Sequence, residues 1–289
     1  MGQQIEHPID PALRGAVRSF VGYAYDDVPP GEHVGLPSTT LTFVVAIGES
    51  LDIAFDGRRR RYAASIAGLH TRPATIHHGT RQSGVQLAID PLASRALFGV
   101  PAADLAQRVI DLAELAEPAA RRLLDAAHTA GSGCKAVTGR TVGLGVPCAS
   151  VEEQLLGARL GGRRPPAPRA EIVRAWSVIR RTRGRAPVRE IARDVGWSVR
   201  HLEQEFVREL GVTPKQACRL RRFEYTTALI RAERPLAEAA ALAGFADQPH
   251  LTRDWRALAG TTPTRWRRSD RLAFVQDLAH DLGHGGEHD

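Results

Sequence analysis

Between Val188 and Pro263 one pattern is written twice. The first copy reads VREIARDVGWSVRHLEQEFVRELGVTP, from Val188 to Pro214, and the second LAEAAALAGFADQPHLTRDWRALAGTTP, from Leu236 to Pro263. Ile191 aligns with Ala239, Ala192 with Ala240, Gly196 with Gly244 and Trp197 with Phe245. The second copy then gains one residue. Beyond it Leu202 aligns with Leu251, Phe206 with Trp255, Leu210 with Ala259, Gly211 with Gly260, and Thr213-Pro214 with Thr262-Pro263. Self-similarity of this length constrains the fold more than any single motif inside it.

Each copy has a physical reading. Val188, Ile191, Ala192 and Val195 recur at helical spacing and form one apolar stripe. Gly196 stops that helix, because glycine takes a left-handed conformation without strain. Trp197 fills the corner and Ser198 is a good N-cap for the next helix, which buries Leu202, Phe206 and Leu210. Thr213 caps a third helix, with Pro214 suited to its first turn. A helix, a glycine-containing turn and a second helix with a polar outer face make a helix-turn-helix. An ordinary three-helix packing unit would share the spacing; the doubling and the charge around it favour nucleic-acid binding.

That charge is unevenly placed. The chain has 289 residues and a formal net charge of +7. Residues 159–234 carry 19 basic and 8 acidic residues, whereas residues 1–158 carry 14 and 16 and residues 235–289 carry 6 and 8. The excess thus lies on the approach to the repeat and on its first copy, as a phosphate-contacting surface requires. Lys135 and Lys215 are the chain's two lysines, and arginine suits bidentate contacts to phosphate and guanine.

The doubled pattern resembles the DNA-binding region of the AraC/XylS family of bacterial transcription regulators. The strings that carry the likeness are IARDVGWSVRHLEQEFVRELGVTP, the linking run KQACRLRRFEYTTALI, and GFADQPHLTRDW, within Glu171 to Arg268. The second copy departs from the family at Ala239, where a large aliphatic is usual, and at Leu251 and Trp255, where Phe is usual. Pro249 stands where the family often has a polar residue. Geometry and resemblance together name the base-reading candidates: Arg200, Glu203 and Gln204 around buried Leu202, and Gln248, His250, Thr252 and Arg253 around Leu251. Arginine bridges guanine O6 and N7, glutamine pairs with adenine and glutamate accepts from cytosine N4. Ser198, Arg221, Arg222, Arg265, Arg267 and Arg268 are the phosphate candidates. A continuous helix from Pro214 to Arg231 would fix the spacing of the two units, so that one chain reads two major grooves roughly 34 Å apart.

The first half reads as strands followed by helices. Phe20, Tyr23 and Tyr25 are aromatic anchors in a stretch, Pro11 to Tyr25, that fits a strand or a loop. Leu41–Ile47 and Leu51–Phe55, separated by Gly48-Glu49, read as a hairpin, and Arg58–Arg61 as an exposed loop. Ser65–Leu69, Ala74–His78 and Ser83–Ile89 are further strands, and Pro91–Phe98, Pro101–Val109 and Pro118–Ala130 are helices opened by proline. This order predicts an α+β domain with a small barrel-like sheet, ahead of an all-α domain with two helix-turn-helix units. Two strings, LPSTTLTFVVAIGE and QLAIDPLASRALFGVPAADLAQRVIDLAEL, resemble N-terminal sensor domains on one branch of the same family. That likeness implies a small-molecule effector or a dimer contact.

The expected organisation is a sensor or dimerisation domain over residues 1–130 and a Gly- and Pro/Arg-rich connection over 131–168. The DNA-binding domain would follow over 169–270, and a C-terminal helix with a His/Gly tail over 271–289. Within the connection, Ser150–Leu160 reads as a short helix, with Ser150 as cap and Glu153 completing a capping box. Cys134, Cys148 and Cys218 make no even framework, which suits a reducing cytoplasm. The N-terminus has no secretory pattern and the chain no apolar run of about 20 residues, so neither secretion nor a membrane span is expected. The competing reading is a metal-binding β-barrel enzyme or sensor fused to a helix-turn-helix scaffold. His70, His77 and His78 could serve it, but adjacent His77 and His78 face opposite sides of a strand. His280, His284 and His288 have ligand spacing only if helical, and Gly283, Gly285 and Gly286 interrupt them. The expectation is therefore a non-enzymatic regulator with no metal and no cofactor. Its partners would be operator DNA, an effector, RNA polymerase and a second copy.

Overall fold

The computed structural model describes residues 2–115, 145–161 and 166–269. The expected helix Pro118–Ala130, the Gly-rich connection up to residue 144, the C-terminal helix and the histidine tail lie outside the described residues.

Among the described residues, ten strands build two sheets: β1 (Gly2–Glu6), β2 (Val17–Tyr25), β3 (Gly31–Gly35), β4 (Leu41–Ala46), β5 (Leu51–Phe55), β6 (Arg58–Tyr62), β7 (Ala64–Ala67), β8 (Ala74–His78), β9 (Gln82–Ile89) and β10 (Val109–Asp111). The larger sheet runs β1-β2-β9-β4-β7-β10 and the smaller β3-β8-β5-β6. Alternation along β4 shows how the larger sheet is used. Leu41, Phe43 and Val45 belong to the core under the helices, while Val44 packs with Leu51 and Ile53 of the smaller sheet.

The pairing corrects the expected hairpin. β4 pairs with β7 and β9, whereas β5 pairs with β6 and β8 in the other sheet. The turn after Ile47 therefore carries the chain from one sheet to the other. Short apolar runs show that strands exist but not which strands pair. The arginine run is also no loop. It is the edge strand β6, held by the Asp56-Gly57 turn against β5, with all four arginines exposed. Charged side chains on an edge strand discourage pairing with another chain.

Two short helices follow, α1 (Ser94–Phe98) and α2 (Ala102–Leu105). The expected helix Pro101–Val109 ends early because the chain turns at Ala106–Gln107 into β10, which pairs with β7. The next helix, α3 (Gly145–Gly161), starts well before Ser150, so Ser150 is an interior residue and no capping box forms there. Glu152 on α3 instead reaches back to the connection between β1 and β2, accepting from Asp10 N–H at 2.8 Å and meeting His7 Nε2 at 2.9 Å.

The helical half contains α4 (Ala170–Arg181), α5 (Val188–Asp194), α6 (Val199–Leu210), α7 (Pro214–Arg231), α8 (Leu236–Ala243), α9 (Gln248–Ala259) and α10 (Pro263–Ser269). The punctuation follows the sequence. Gly196 and Gly244 end α5 and α8 at φ 75°, Ser198 and Asp247 cap α6 and α9, and Thr213 with Gln216 closes a capping box on α7.

Candidate nucleic-acid interface and inter-sheet cavity

The two candidate reading helices, α6 and α9, are amphipathic. On α6, Leu202, Phe206 and Leu210 are fully buried, leaving Arg200, Glu203 and Gln204 exposed on the opposite face. On α9, Leu251, Trp255, Leu258 and Ala259 are buried, Gln248 and Arg253 are exposed, and His250 and Thr252 are half-buried. The side chains of Arg200, Glu203, Gln204, Gln248 and Arg253 make no hydrogen bond or ion pair among the described residues. Exposed on a helix surface, these groups are accessible to a partner molecule.

The two units share a feature that the sequence comparison left unused. Trp197 and His201 meet edge-to-face at 4.6 Å, and Phe245 and His250 do the same at 5.2 Å. The alignment already pairs these residues, so the signal was present. His250 is therefore part of the corner packing of the second unit, and its counterpart His201 was overlooked. Pro249 takes the position of Arg200 on the first unit, in the first turn of α9, where a missing N–H costs nothing. In the second core Trp255 sits between Phe223 and Trp266, at centroid distances of 4.6 and 5.2 Å, in the same buried cluster as the small Ala239.

The phosphate candidates separate. Arg267 and Arg268 are exposed on α10, as is Arg265, whose N–H is held by Thr262. Ser198 is exposed but engaged as a cap, its oxygen accepting from His201 N–H at 3.2 Å. Arg222 lies over the Phe245 ring at 5.2 Å, where it braces the second unit's corner. Arg221 pairs with Glu224 at 3.2 Å, and Glu224 is buried against the sheet domain. Arg221 thus stands at the seam between the halves, with its guanidinium engaged by Glu224.

A second candidate site lies between the two sheets, a cavity of about 60 Å³. Val44, Leu51, Ile53 and Ile76 give it apolar walls, and Tyr23, His33, His70, Gln82 and Gln86 add polar groups. Asp, Glu, Lys and Arg are absent from its described lining. Burial holds the His33 imidazole down to about 3, with His78 adding to the effect, and burial holds His70 down to about 4. Both rings are therefore neutral at pH 7. His70 Nδ1 lies 2.6 Å from the Arg72 carbonyl, which can only accept, so Nδ1 donates and Nε2 is left as an acceptor. Gln82 Oε1 is buried without a hydrogen-bond partner among the described residues. His77 lies 3.6 Å from Glu32, and no group of three or more potential metal ligands occurs among the described residues.

A family model described as a helix-turn-helix domain matches residues 177–269. No curated protein sequence matches the chain. Among solved structures, ToxT from Vibrio cholerae is similar over 86% of this chain and 97% of its own, at 9% identity and a TM-score of 0.50. The C-terminal domain of AraT, a response regulator from Geobacillus stearothermophilus, matches 42% of this chain and 95% of its own, at 19% identity and a TM-score of 0.34. The xylose-binding transcription activator XylR matches 43% of this chain and 38% of its own, at 18% identity and a TM-score of 0.31. The matched domain and the fold place a helix-turn-helix domain after a sheet-rich N-terminal half. The strings that resemble the DNA-binding region of the AraC/XylS regulators fall within the matched residues 177–269. Among the described residues, no helix is long and apolar enough to cross a membrane.

Proposed function

We propose that the chain is a cytoplasmic one-component regulator that reads an operator with both units and responds to a small uncharged molecule held between its sheets. The observation that carries this reading is the pairing of two exposed helix faces with an inter-sheet cavity whose described lining carries no Asp, Glu, Lys or Arg. Arg200, Glu203 and Gln204 read bases for the first unit, and Gln248, Thr252 and Arg253 for the second. Arg265, Arg267 and Arg268 hold phosphates beside the second. A carboxylate entering the cavity would lose its hydration and find no cation, a penalty of several kcal/mol. The acceptors at Gln82 Oε1 and His70 Nε2 favour a molecule that carries a hydroxyl or N–H. The protein thus acts by binding rather than by catalysis. RNA polymerase and a second copy remain the partners that the family resemblance implies.

The test is a thermal-unfolding screen of matched pairs, each a neutral alcohol or amide and its carboxylate counterpart. Stabilisation by the neutral members, lost in Ala67→Phe and accompanied by altered DNA affinity, supports the reading. Stabilisation by the carboxylates, or by compounds indifferent to Ala67→Phe, contradicts it.

A further inference from the structure

The two reading units are attached to the sheet domain in different ways. One continuous buried cluster runs from Phe43 and Leu87 of the larger sheet through Phe98 and Leu105 to Trp176 and Phe206 of the first unit. Two polar contacts reinforce that junction. Arg95 of α1 grips Glu209 of α6 with two hydrogen bonds, at 2.8 and 3.0 Å, and Asp90 takes both Arg18 and Arg180. The sheet domain and the first unit are packed as one body.

The second unit has its own core, built from Leu220, Phe223, Leu251, Trp255 and Trp266. The sheet domain reaches this core through two connecting segments. In the first, Leu36 packs against the cluster. Thr39 then donates its N–H and its hydroxyl to the two carboxylate oxygens of Glu224 on α7, at 2.5 and 2.6 Å. In the second, Pro73 Cγ stands 3.3 Å from where a Cβ on Gly260, at the end of α9, would lie.

Both segments cross between sheets. Residues 36–40 join β3 of the smaller sheet to β4 of the larger, and residues 68–73 join β7 of the larger to β8 of the smaller. Their ends also wall the cavity, at Gly35 and Thr42 for the first and at His70 and Ala74 for the second. Any change in the distance between the sheets therefore moves the two segments that hold the second unit. Packed elements shift between discrete arrangements rather than deforming smoothly, so a small opening can be passed on.

We propose that these two crossovers are a strap that positions the second reading unit, and not the first, according to what fills the cavity. The proposal rests on the reading of the cavity as an effector site, and adds the route and the destination of the signal.

The test needs no ligand. In the full chain, Ala67→Phe puts a phenyl ring into a cavity of about 60 Å³ and forces the sheets apart. Affinity is measured for a duplex selected by the wild-type chain and for a copy with the second recognised segment scrambled. Ala67→Phe changes affinity for the intact duplex by about fivefold or more, the lower end of typical allosteric coupling. It leaves the scrambled duplex within about twofold. Adding Leu36→Ala, Thr39→Val and Pro73→Ala, which remove the side-chain contacts of both crossovers, reduces the effect on the intact duplex to about twofold or less, as a double-mutant cycle reads it. An equal effect on both duplexes would send the signal through the first unit and overturn the proposal. So would an unchanged effect after the strap is cut, or no effect of Ala67→Phe in a folded protein. Should Ala67→Phe fail to fold, the milder Ser65→Leu is read in the same way. The ligand screen fails or succeeds independently: an effector that alters both segments equally would keep the cavity's role and remove the strap's.

Discussion

Gly211 tests the rigid junction between the first unit and the sheet domain. It ends α6 at φ 72°, where any L-residue is strained. A Cβ there would also fall 2.2 Å from Ala106 Cβ and 2.9 Å from Ala103 Cα, in and just beyond α2. Gly196 is the matched control, with φ 75° and nothing within 4 Å of an added Cβ. Gly196→Ala should cost only the left-handed conformation, about 1–2 kcal/mol. Gly211→Ala adds an overpacking term of about 1–3 kcal/mol, because the neighbours are backbone and a methyl on a short helix. Urea unfolding of the full chain, followed by tryptophan fluorescence, measures both. Trp176, Trp197, Trp255 and Trp266 are the chain's four tryptophans and all lie in the helical half. Gly211→Ala should lose more stability than Gly196→Ala by the overpacking term. Ala106→Gly added to Gly211→Ala should recover part of it. Equal losses at the two glycines would refute the packing of the first unit against α2.

Acid should weaken the sheet domain through its two neutral histidines. His33 and His70 are held near 3 and 4 in the folded chain and titrate near 6.5 when unfolded. The unfolded chain therefore takes up protons first, so stability is full above about pH 6.5 and falls below it, by about 2 kcal/mol per histidine at about pH 5. His70→Gln should flatten that slope by one histidine's share in urea midpoints read by circular dichroism; an unaltered slope would show that His70 is not the group responsible. Thr213→Ala removes the N-cap oxygen that accepts from Gln216 N–H at 3.2 Å and should cost about 1 kcal/mol in the same assay, whereas a neutral result would deny the cap any role in α7.

The helical half was legible because its signals are local. Gly196, Ser198, Gly211 and Thr213 each set a turn or cap within a few residues, and the repeat displayed them twice. The sheet half was legible only in part, because strand pairing is a long-range choice. Leu41–Ile47 announced a strand, but nothing local showed that its partners would be β7 and β9 rather than β5. The Arg58–Arg61 run looked like a loop because its apolar alternation is missing, and an edge strand facing water needs none. The exposed faces of α6 and α9 could be named from helical periodicity. The fate of Arg221 could not, since its partner Glu224 is drawn inward by Thr39, far away in sequence. The cavity left no single-stretch signature either, because its lining comes from many strands.

Selection of binding sites from random duplex DNA by the full chain, with wild type compared against Arg200→Ala and Arg253→Ala, tests the central claim most directly. Two recognised segments about one helical turn apart should emerge, with Arg200→Ala blurring one and Arg253→Ala the other. Binding with no enriched sequence, or one segment altered by both substitutions, would contradict the claim that each repeat reads its own groove.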